Sequence, residues 1–331
     1  MKAILLWCVC VVVCLPGAAT AQTYHAFLWS ASTGMQDLGT LGGTSTAMGI
    51  NSSGQVVGYY LAPSGDTRAF LWTQAEGMQD LGTLGGSAGA AVAINDAGQV
   101  VGWATTVAGT AHAFLWSAST GMKDLGTLGG KASGATSINS AGEVAGTSLK
   151  PGNYYDHAFL WSSKTGMTDL GALAGRNSFA FGVNLAGSVV GESMTTSSVT
   201  PYHAFLRTRQ GITDLGTLPE GQNSNAVALN DAGTVVGWSY YASGCCYAFQ
   251  WTAAEGMQSL APPGVSFSNA DAINSNGVIV GSYLAIGALE AHAAVWTGPN
   301  QVEDLGVLGG SYSTATGVND AGQVVGYSTI Q

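Results

Sequence analysis

Basic residues are scarce in this sequence. Lys and Arg together number nine among 331 residues, against nineteen Asp and Glu, so the formal net charge at neutral pH is −10. Nucleic acids and anionic membranes attract proteins through basic surfaces, and we therefore expect neither as a partner. Charged residues of both signs make up only 8% of the chain, but the periodic apolar positions argue against disorder.

Long apolar runs are also lacking, apart from one short run at the N-terminus. One Lys, that run and the sequence Ala19-Thr20-Ala21 form the pattern of a signal peptide cleaved after Ala21. We expect residues 1–21 to be this signal, the mature chain to be secreted or periplasmic, and no segment to span a membrane.

Cysteine is scarce as well, since three of the five leave with the predicted signal. The two that remain, Cys245 and Cys246, are adjacent in sequence. They form either a strained disulfide across one peptide bond or two separate thiols, and an oxidising compartment favours the disulfide. A mature domain of roughly 300 residues buries enough apolar surface to fold without further disulfides.

One motif, present seven times, fills the rest of the chain. Runs of the HAFLW type start every 43 to 46 residues, at His25, Arg68, His112, His157, His203, Tyr247 and His292. Each copy continues with GMxDLG, a Gly-rich link, an S-x-A-x-x-I-N run and a G-x-V-V-G run. β-Branched and aromatic residues fill these runs, turn residues separate them, and no window has a helical period. The repeat therefore predicts an all-β chain with four strands per unit.

Seven four-stranded units of this length predict a seven-bladed β-propeller. Small residues such as Ala47 share one face of the S-x-A run, which suits an innermost strand near the axis. The N-terminal outer hairpin (25–39) and the C-terminal inner hairpin would share one blade and close the ring. Residues 22–331 would then be a single domain, expected to be a monomer. The complete blades are predicted near 44–82, 87–126, 131–171, 176–216, 222–260 and 266–306. A linear β-solenoid is the alternative architecture.

The turn after the S-x-A run begins with Asn and has Gly three residues later in every copy. Asn51 and Gly54 are the first such pair. This spacing predicts a type I turn in which the Asn side chain bonds forward to the backbone and Gly takes a positive φ. We interpret these Asn residues as turn formers.

HAFLW, GMxDLGTLGG and INxxGQVVG together resemble the bacterial HAF family, described as probable extracellular repeat proteins. The resemblance covers residues 25 to 328. It implies export and a repeat fold, and it implies no activity or substrate. The chain departs from the motif at Arg68, Tyr247 and Arg207, and at residues 259–264.

Residues for catalysis or metal binding are hard to find. All five His begin HAFLW runs, where a structural role is the simplest interpretation, so neither a nucleophilic site nor a metal site has a candidate His. We expect no cofactor. Two carboxylates break the repeat: Asp271 on the S-x-A strand, and Glu192 where four of the other copies have Tyr or Trp. Both fit a structural role, or else a carbohydrate-active enzyme with carboxylates on one propeller face.

Loops between the second and third strands vary in sequence on an otherwise repeated scaffold. Such loops commonly carry binding residues. We predict a non-catalytic binding or structural module whose ligand, a glycan or a protein, contacts Tyr154, Tyr155, Tyr240 and Tyr241. Alternatively, these tyrosines only cover the edges of the blades.

Overall fold

The computed structural model describes residues 23–152, 154–174, 176–196, 202–298 and 300–330. The predicted signal peptide lies outside the described residues. Within them the chain is all β, as the sequence predicts, with 28 strands. The described chain contains no helix with the length and hydrophobicity of a membrane span.

Each of the seven blades is an antiparallel sheet of four strands. The first strands are β3 (Ser45–Ile50), β7 (Gly85–Ile94), β11 (Ser133–Ile138), β15 (Ser178–Val183), β19 (Gly221–Leu229), β23 (Val265–Ile273) and β27 (Ser313–Val318). The second strands are β4 (Val56–Leu61), β8 (Val100–Thr106), β12 (Val144–Leu149), β16 (Val189–Met194), β20 (Val235–Tyr241), β24 (Ile279–Ala285) and β28 (Val324–Thr329).

The outer two strands of each blade come from the HAFLW and GMxD runs. The third strands are β5 (Thr67–Thr73), β9 (Ala111–Ser117), β13 (Asp156–Ser162), β17 (Tyr202–Thr208), β21 (Cys246–Thr252), β25 (His292–Gly298) and β1 (Tyr24–Ser30). The fourth strands are β6 (Gly77–Asp80), β10 (Gly121–Asp124), β14 (Gly166–Asp169), β18 (Gly211–Gly216), β22 (Gly256–Ser259), β26 (Gln301–Asp304) and β2 (Gly34–Asp37).

The ring closes through a blade that both ends of the chain share. We number the blades from β3–β6 as blade 1 to β23–β26 as blade 6, and the shared one is blade 7. Its strand order is β2-β1-β28-β27, so the N-terminal hairpin pairs with the C-terminal one, with Tyr24 opposite Thr329 and Trp29 opposite Val324. This confirms the predicted closure, and a linear solenoid is ruled out.

The S-x-A strands are innermost, as predicted. Each contacts the first strands of both neighbouring blades, and the contact between β27 and β3 completes the circle. The Ala at the centre of each first strand is fully buried. Space is so limited here that a Cβ on Gly58 of β4 would lie 2.0 Å from the carbonyl oxygen of Thr46 on β3. Glycine in the VVG run is therefore required by the close approach of the first two strands.

Apolar packing between neighbouring blades forms the core. The Phe of the HAFLW run is fully buried in six blades, for example Phe70 and Phe114. Valines of the second strand pack across to the next blade, as Val57 of blade 1 does in the cluster that holds Phe114 of blade 2. A Ser hydroxyl also joins adjacent blades, as where Ser45 Oγ accepts the Ala26 N–H at 2.9 Å. Five other blade boundaries repeat this bond.

Alternating strand directions give the disc two different faces. The turn face carries the Asn-x-x-Gly turns between first and second strands, and the short turns between third and fourth strands. The loop face carries the connections between second and third strands, and the Gly-rich links to the next blade.

Candidate functional site

Asn side chains form a closed ring of hydrogen bonds on the turn face. Within each turn Asn Oδ1 accepts the backbone N–H four residues later, as Asn51 does from Gln55 at 3.0 Å. Asn Nδ2 donates to the backbone carbonyl of the equivalent Asn in the next blade. These seven inter-blade bonds are 2.9–3.4 Å long, and the bond from Asn319 to Asn51 joins the ends of the chain. The Asn residues thus tie blades together, a role beyond the turn chemistry that the sequence predicts.

A cavity of about 280 Å³ lies on the axis at the turn face. Its lining includes the aliphatic residues directly before the ring Asn, of which Ile94, Ile138, Val183 and Leu229 are buried. The set is Ile50, Ile94, Ile138, Val183, Leu229, Ile273 and Val318. The residues directly after the ring Asn line its mouth: Ser52, Asp96, Ser140, Leu185, Asp231, Ser275 and Asp320. No Lys, Arg or His is among the lining residues.

Three carboxylates hold fixed positions at that mouth. Asp96 Oδ1 accepts the backbone N–H of Ser52 in the preceding blade at 2.9 Å. Asp231 and Asp320 accept the N–H of Leu185 and Ser275 in the same way, at 2.8 and 3.0 Å. The three belong to blades 2, 5 and 7, so they surround the mouth and do not meet at one point. Among the described residues no group of three or more His, Cys, Asp or Glu is suited to a metal ion.

On the loop face, the HAFLW His pairs with the DLG Asp of its own blade. In five blades Nδ1 of the His lies 2.8–3.0 Å from a carboxylate oxygen of that Asp. Arg68 replaces His in blade 1 and binds Asp80 with two N–H groups. The same Asp also accepts the N–H of the Gly two residues later. The His residues therefore join the third strand to the end of the fourth, in line with the structural role expected for them.

Tyr154 and Tyr155 lie on the loop face between β12 and β13. Their exposed fractions are 83% and 47%. Tyr240 and Tyr241 lie two blades away at the end of β20 and are half-buried. The Tyr241 ring packs edge-on against Tyr247 at 5.3 Å between centroids. No contact between described residues joins the two pairs, so the four tyrosines are two separate candidates on one face.

Exposed apolar side chains are concentrated on the loop face. Eight large apolar residues of the described chain are exposed, and seven lie at the loop face, in connections or, for Leu61, at the end of a strand: Leu41, Leu61, Val107, Tyr154, Tyr155, Ile286 and Leu289. The eighth, Leu185, lies at the mouth of the turn-face cavity. Sequence reasoning identified two of these seven, because it searched the variable loops for aromatic residues and not for aliphatic ones.

Glu192 and Asp271 are interior groups. Glu192 lies on β16 with 6% of its surface exposed, and burial raises the pKa of its carboxyl to about 8. Asp271 is the bulged residue of β23, the innermost strand of blade 6, and is half-buried; Asn269 Nδ2 donates to it at 2.6 Å. Burial raises the pKa of Asp271 to about 7, although the bond from Asn269 lowers it. They lie on blades 4 and 6, and no contact between described residues joins them as a catalytic pair would require.

No disulfide joins Cys245 and Cys246, so the expected bond is not formed. Cys246 begins β21 and pairs with Tyr240, while the Cys245 carbonyl accepts the Tyr241 N–H at 2.9 Å. Successive residues of an extended segment point to opposite sides. The hairpin thus holds the two side chains apart.

The fold defines the class of protein: a seven-bladed β-propeller of four-stranded blades with a shared closing blade. No family model matches the chain, and no curated protein matches it in sequence. The comparisons therefore depend on structure alone.

Solved β-propeller structures are similar to it at low sequence identity. The propeller domain of the Trilobed protease from Pyrococcus furiosus, described as having an open velcro topology, has a TM-score of 0.55 and 8% identity, covering 88% of this chain and 95% of that one. A TolB candidate from Agrobacterium tumefaciens has a TM-score of 0.52 and 10% identity, covering 94% and 100%. TolB from Acinetobacter baumannii has a TM-score of 0.51 and 13% identity, covering 83% of this chain and 64% of that one. These likenesses support the fold.

Proposed function

We propose that this chain is an exported, non-catalytic propeller of the HAF type that binds a protein partner through its loop face. The observation that carries the proposal is the location of seven of the eight exposed large apolar side chains on that face. Exposed apolar groups that gather on one face of a soluble domain are typical of an interaction surface.

Aliphatic side chains favour a protein over a glycan as the occupant. Val107, Ile286 and Leu289 are exposed by 86%, 72% and 92%, and they belong to blades 2 and 6. Aliphatic groups contribute to protein interfaces through apolar burial, whereas sugars are recognised mainly by flat rings and polar groups. Tyr154 and Tyr155 in blade 3 suit either ligand, and Tyr240 and Tyr241 stay predicted contacts at the same face.

Site-specific photocrosslinking in the producing cells tests this proposal. A photoreactive phenylalanine would replace Val107, Tyr154 or Leu289 on the loop face, and Leu185 on the turn face as the matched control. We expect one protease-sensitive adduct of the same mass from the three loop-face positions and none from Leu185. The double change Tyr154→Ala and Tyr155→Ala should reduce the adduct at Val107 without changing the melting temperature.

Three outcomes would contradict the proposal. If Leu185 gives as much adduct as the loop-face positions, the partner does not bind specifically to the loop face. If no position gives an adduct, the chain has no protein partner at this face. An adduct that glycosidases degrade and proteases do not would show that the ligand is a glycan and not a protein.

A further inference from the structure

Basic residues are distributed unevenly around the ring. Apart from Lys2, all eight Lys and Arg residues lie between positions 68 and 209, which places them in blades 1 to 4. Those four blades (40–216) also contain ten Asp and Glu, so their formal charge is −2 with His neutral. Blades 5 to 7 (23–39 and 217–330) contain nine Asp and Glu and no Lys or Arg, so their formal charge is −9. Most of the net charge therefore belongs to three adjacent blades.

Four of the acidic residues of blades 5 to 7 lie on the loop face. Asp37 and Asp304 end the fourth strands of blades 7 and 6, and their side chains are exposed by 42% and 41%. Glu220 is exposed in the link to blade 5, and Glu290 is half-buried in the loop between β24 and β25. Burial and the charge of Glu290 raise the pKa of Tyr24, so this carboxylate lies close to blade 7. We call the loop face of blades 5 to 7 the acidic sector.

Carboxylates at equivalent positions of blades 1 and 3 are neutralised by basic side chains. Arg68 binds Asp80 at 2.7 Å, and Lys150 Nζ lies 2.5 Å from a carboxylate oxygen of Asp169. In blades 6 and 7 the corresponding Asp is paired with a His, and a neutral His does not offset the charge of a carboxylate. The negative potential of the loop face is therefore strongest over the acidic sector.

Exposed aliphatic side chains lie within the acidic sector. Ile286 and Leu289, in the loop between β24 and β25, are exposed by 72% and 92%. Backbone bonds hold this loop at both ends, since the Ile286 N–H donates to the Gly264 carbonyl at 2.8 Å and the Ser313 N–H donates to the Ala291 carbonyl at 3.0 Å. A loop that is fixed before binding loses little conformational entropy on binding. Apolar groups with charged groups around them are typical of protein interfaces.

We propose that the acidic sector binds a basic segment of the protein partner, in which Lys or Arg residues flank an apolar side chain. The apolar side chain packs on Ile286 and Leu289, and the cationic groups lie at the surrounding carboxylates. The proposal rests on the proposed function, and it adds where on the loop face the partner binds and which charge it carries. Electrostatic complementarity of this kind fixes the orientation of a partner and speeds its association. A metal ion or a small polar cation gains nothing from the two aliphatic side chains.

Photocrosslinking of the purified protein to defined peptides tests the proposal. The probe is an octapeptide of alternating Leu and Lys, and its counterparts have Glu or Gln in place of Lys. A photoreactive phenylalanine replaces Leu289 in the acidic sector, or Tyr154 in blade 3 as the matched loop-face position. We expect the Leu–Lys peptide to give roughly fivefold more adduct at Leu289 than at Tyr154, and less adduct as salt is raised. The Leu–Glu peptide should give none at Leu289.

Neutral variants separate the acidic sector from the net charge of the protein. The double change Glu220→Gln and Glu290→Gln removes two charges from the sector and should reduce the Leu–Lys adduct at Leu289 several-fold. The double change Glu76→Gln and Glu255→Gln removes two charges from exposed turns of the turn face and should leave the adduct unchanged. Both double variants should keep the melting temperature of the parent, because none of the four side chains is fully buried.

The proposal is wrong if the Leu–Lys and Leu–Gln peptides give equal adducts at Leu289, if Tyr154 gives as much adduct as Leu289, or if the two double variants behave alike. It is also wrong if the cellular partner crosslinks at Leu289 through a segment without positive net charge, although binding at the loop face would then stand. Conversely, the peptide results do not depend on the cellular partner. The basic segment and the proposed function can therefore fail separately.

Discussion

Two parts of the Asn ring differ in the number of hydrogen-bond acceptors that each Asn Nδ2 contacts. In blades 7, 1, 2 and 3 the residue after the turn Gly is Gln or Glu, and its side-chain oxygen accepts a second bond from Asn Nδ2 at 2.8–2.9 Å. In blades 4, 5 and 6 this residue is Ser188, Thr234 or Val278, and the second acceptor is missing from the bonds of the described residues. We call these the amide arc and the open arc.

The comparison shows which bond the ring requires. All seven blades keep the bond from Asn Nδ2 to the next carbonyl, so this bond alone is enough to continue the circle. The two longest, at 3.3 and 3.4 Å, start from Asn184 and Asn230 in the open arc. The added Gln or Glu oxygen therefore orients the amide and is not needed for closure.

The open arc also contains the groups that cost the most to bury. Glu192 and Asp271 belong to it, as do two of the three buried side-chain polar atoms without a partner among the described residues, Arg207 Nε and Asn225 Oδ1. Buried polar groups without partners lower stability. We expect the open arc to be the less stable part of the ring.

The largest expected effect is a loss of stability with rising pH, caused by the two carboxyls of the open arc. Their pKa values rise on folding, from 4.5 to about 8 for Glu192 and from 3.8 to about 7 for Asp271. The folded state keeps protons that the unfolded state releases, so stability falls as pH rises through these windows. The slope is roughly 1.4 kcal/mol per pH unit for each group, and it ends above the folded pKa.

Urea unfolding at pH 5 and pH 8 measures this effect. Glu192→Gln and Asp271→Asn should each be more stable than the parent at pH 8 and should flatten the pH profile. Glu255→Gln, on an exposed turn, serves as the control and should follow the parent. A parent protein equally stable at both pH values would contradict the assignment of both groups.

The second effect compares one ring Asn from each arc. Asn95→Ala and Asn230→Ala each leave a neighbouring carbonyl and a turn N–H without their partner, at roughly 1–3 kcal/mol for each buried group. Asn95→Ala also frees Gln99 Oε1, so it should cost about 1 kcal/mol more than Asn230→Ala. The free energies of unfolding of the two variants at pH 6 test this difference. If both variants lose the same free energy of unfolding, the Gln99 oxygen contributes nothing to stability.

The smallest effect comes from exchanging the residue that distinguishes the arcs. Gln99→Val removes the second acceptor and should lower the free energy of unfolding by about 1 kcal/mol. Val278→Gln supplies that acceptor to the open arc and should raise it by up to about 1 kcal/mol. Val278→Leu controls for apolar size, and if it stabilises as much as Val278→Gln, packing and not the hydrogen bond is responsible.

Signals for some of the missed contacts were present in the sequence. Blade 5 replaces the HAFLW His by Tyr247 and the DLG Asp by Ser259. The two positions thus change together in the blade that has neither the His–Asp pair nor the Arg–Asp pair of blade 1. This joint change indicates a His–Asp contact. The Asn ring has no such signal, because its acceptor is a backbone carbonyl, which every residue has.

By itself the sequence determined the all-β class, the seven blades, the innermost strand and the blade shared by both ends. These features follow from the number of repeats and from local strand and turn preferences, and the same preferences recur in each copy of the repeat. Only the tertiary structure decided the amide ring, the cavity, the burial of Glu192 and Asp271, and the face on which apolar side chains stay exposed. Those depend on distances between residues about 45 positions apart, or at opposite ends of the chain, and such distances exist only once the blades pack around one axis.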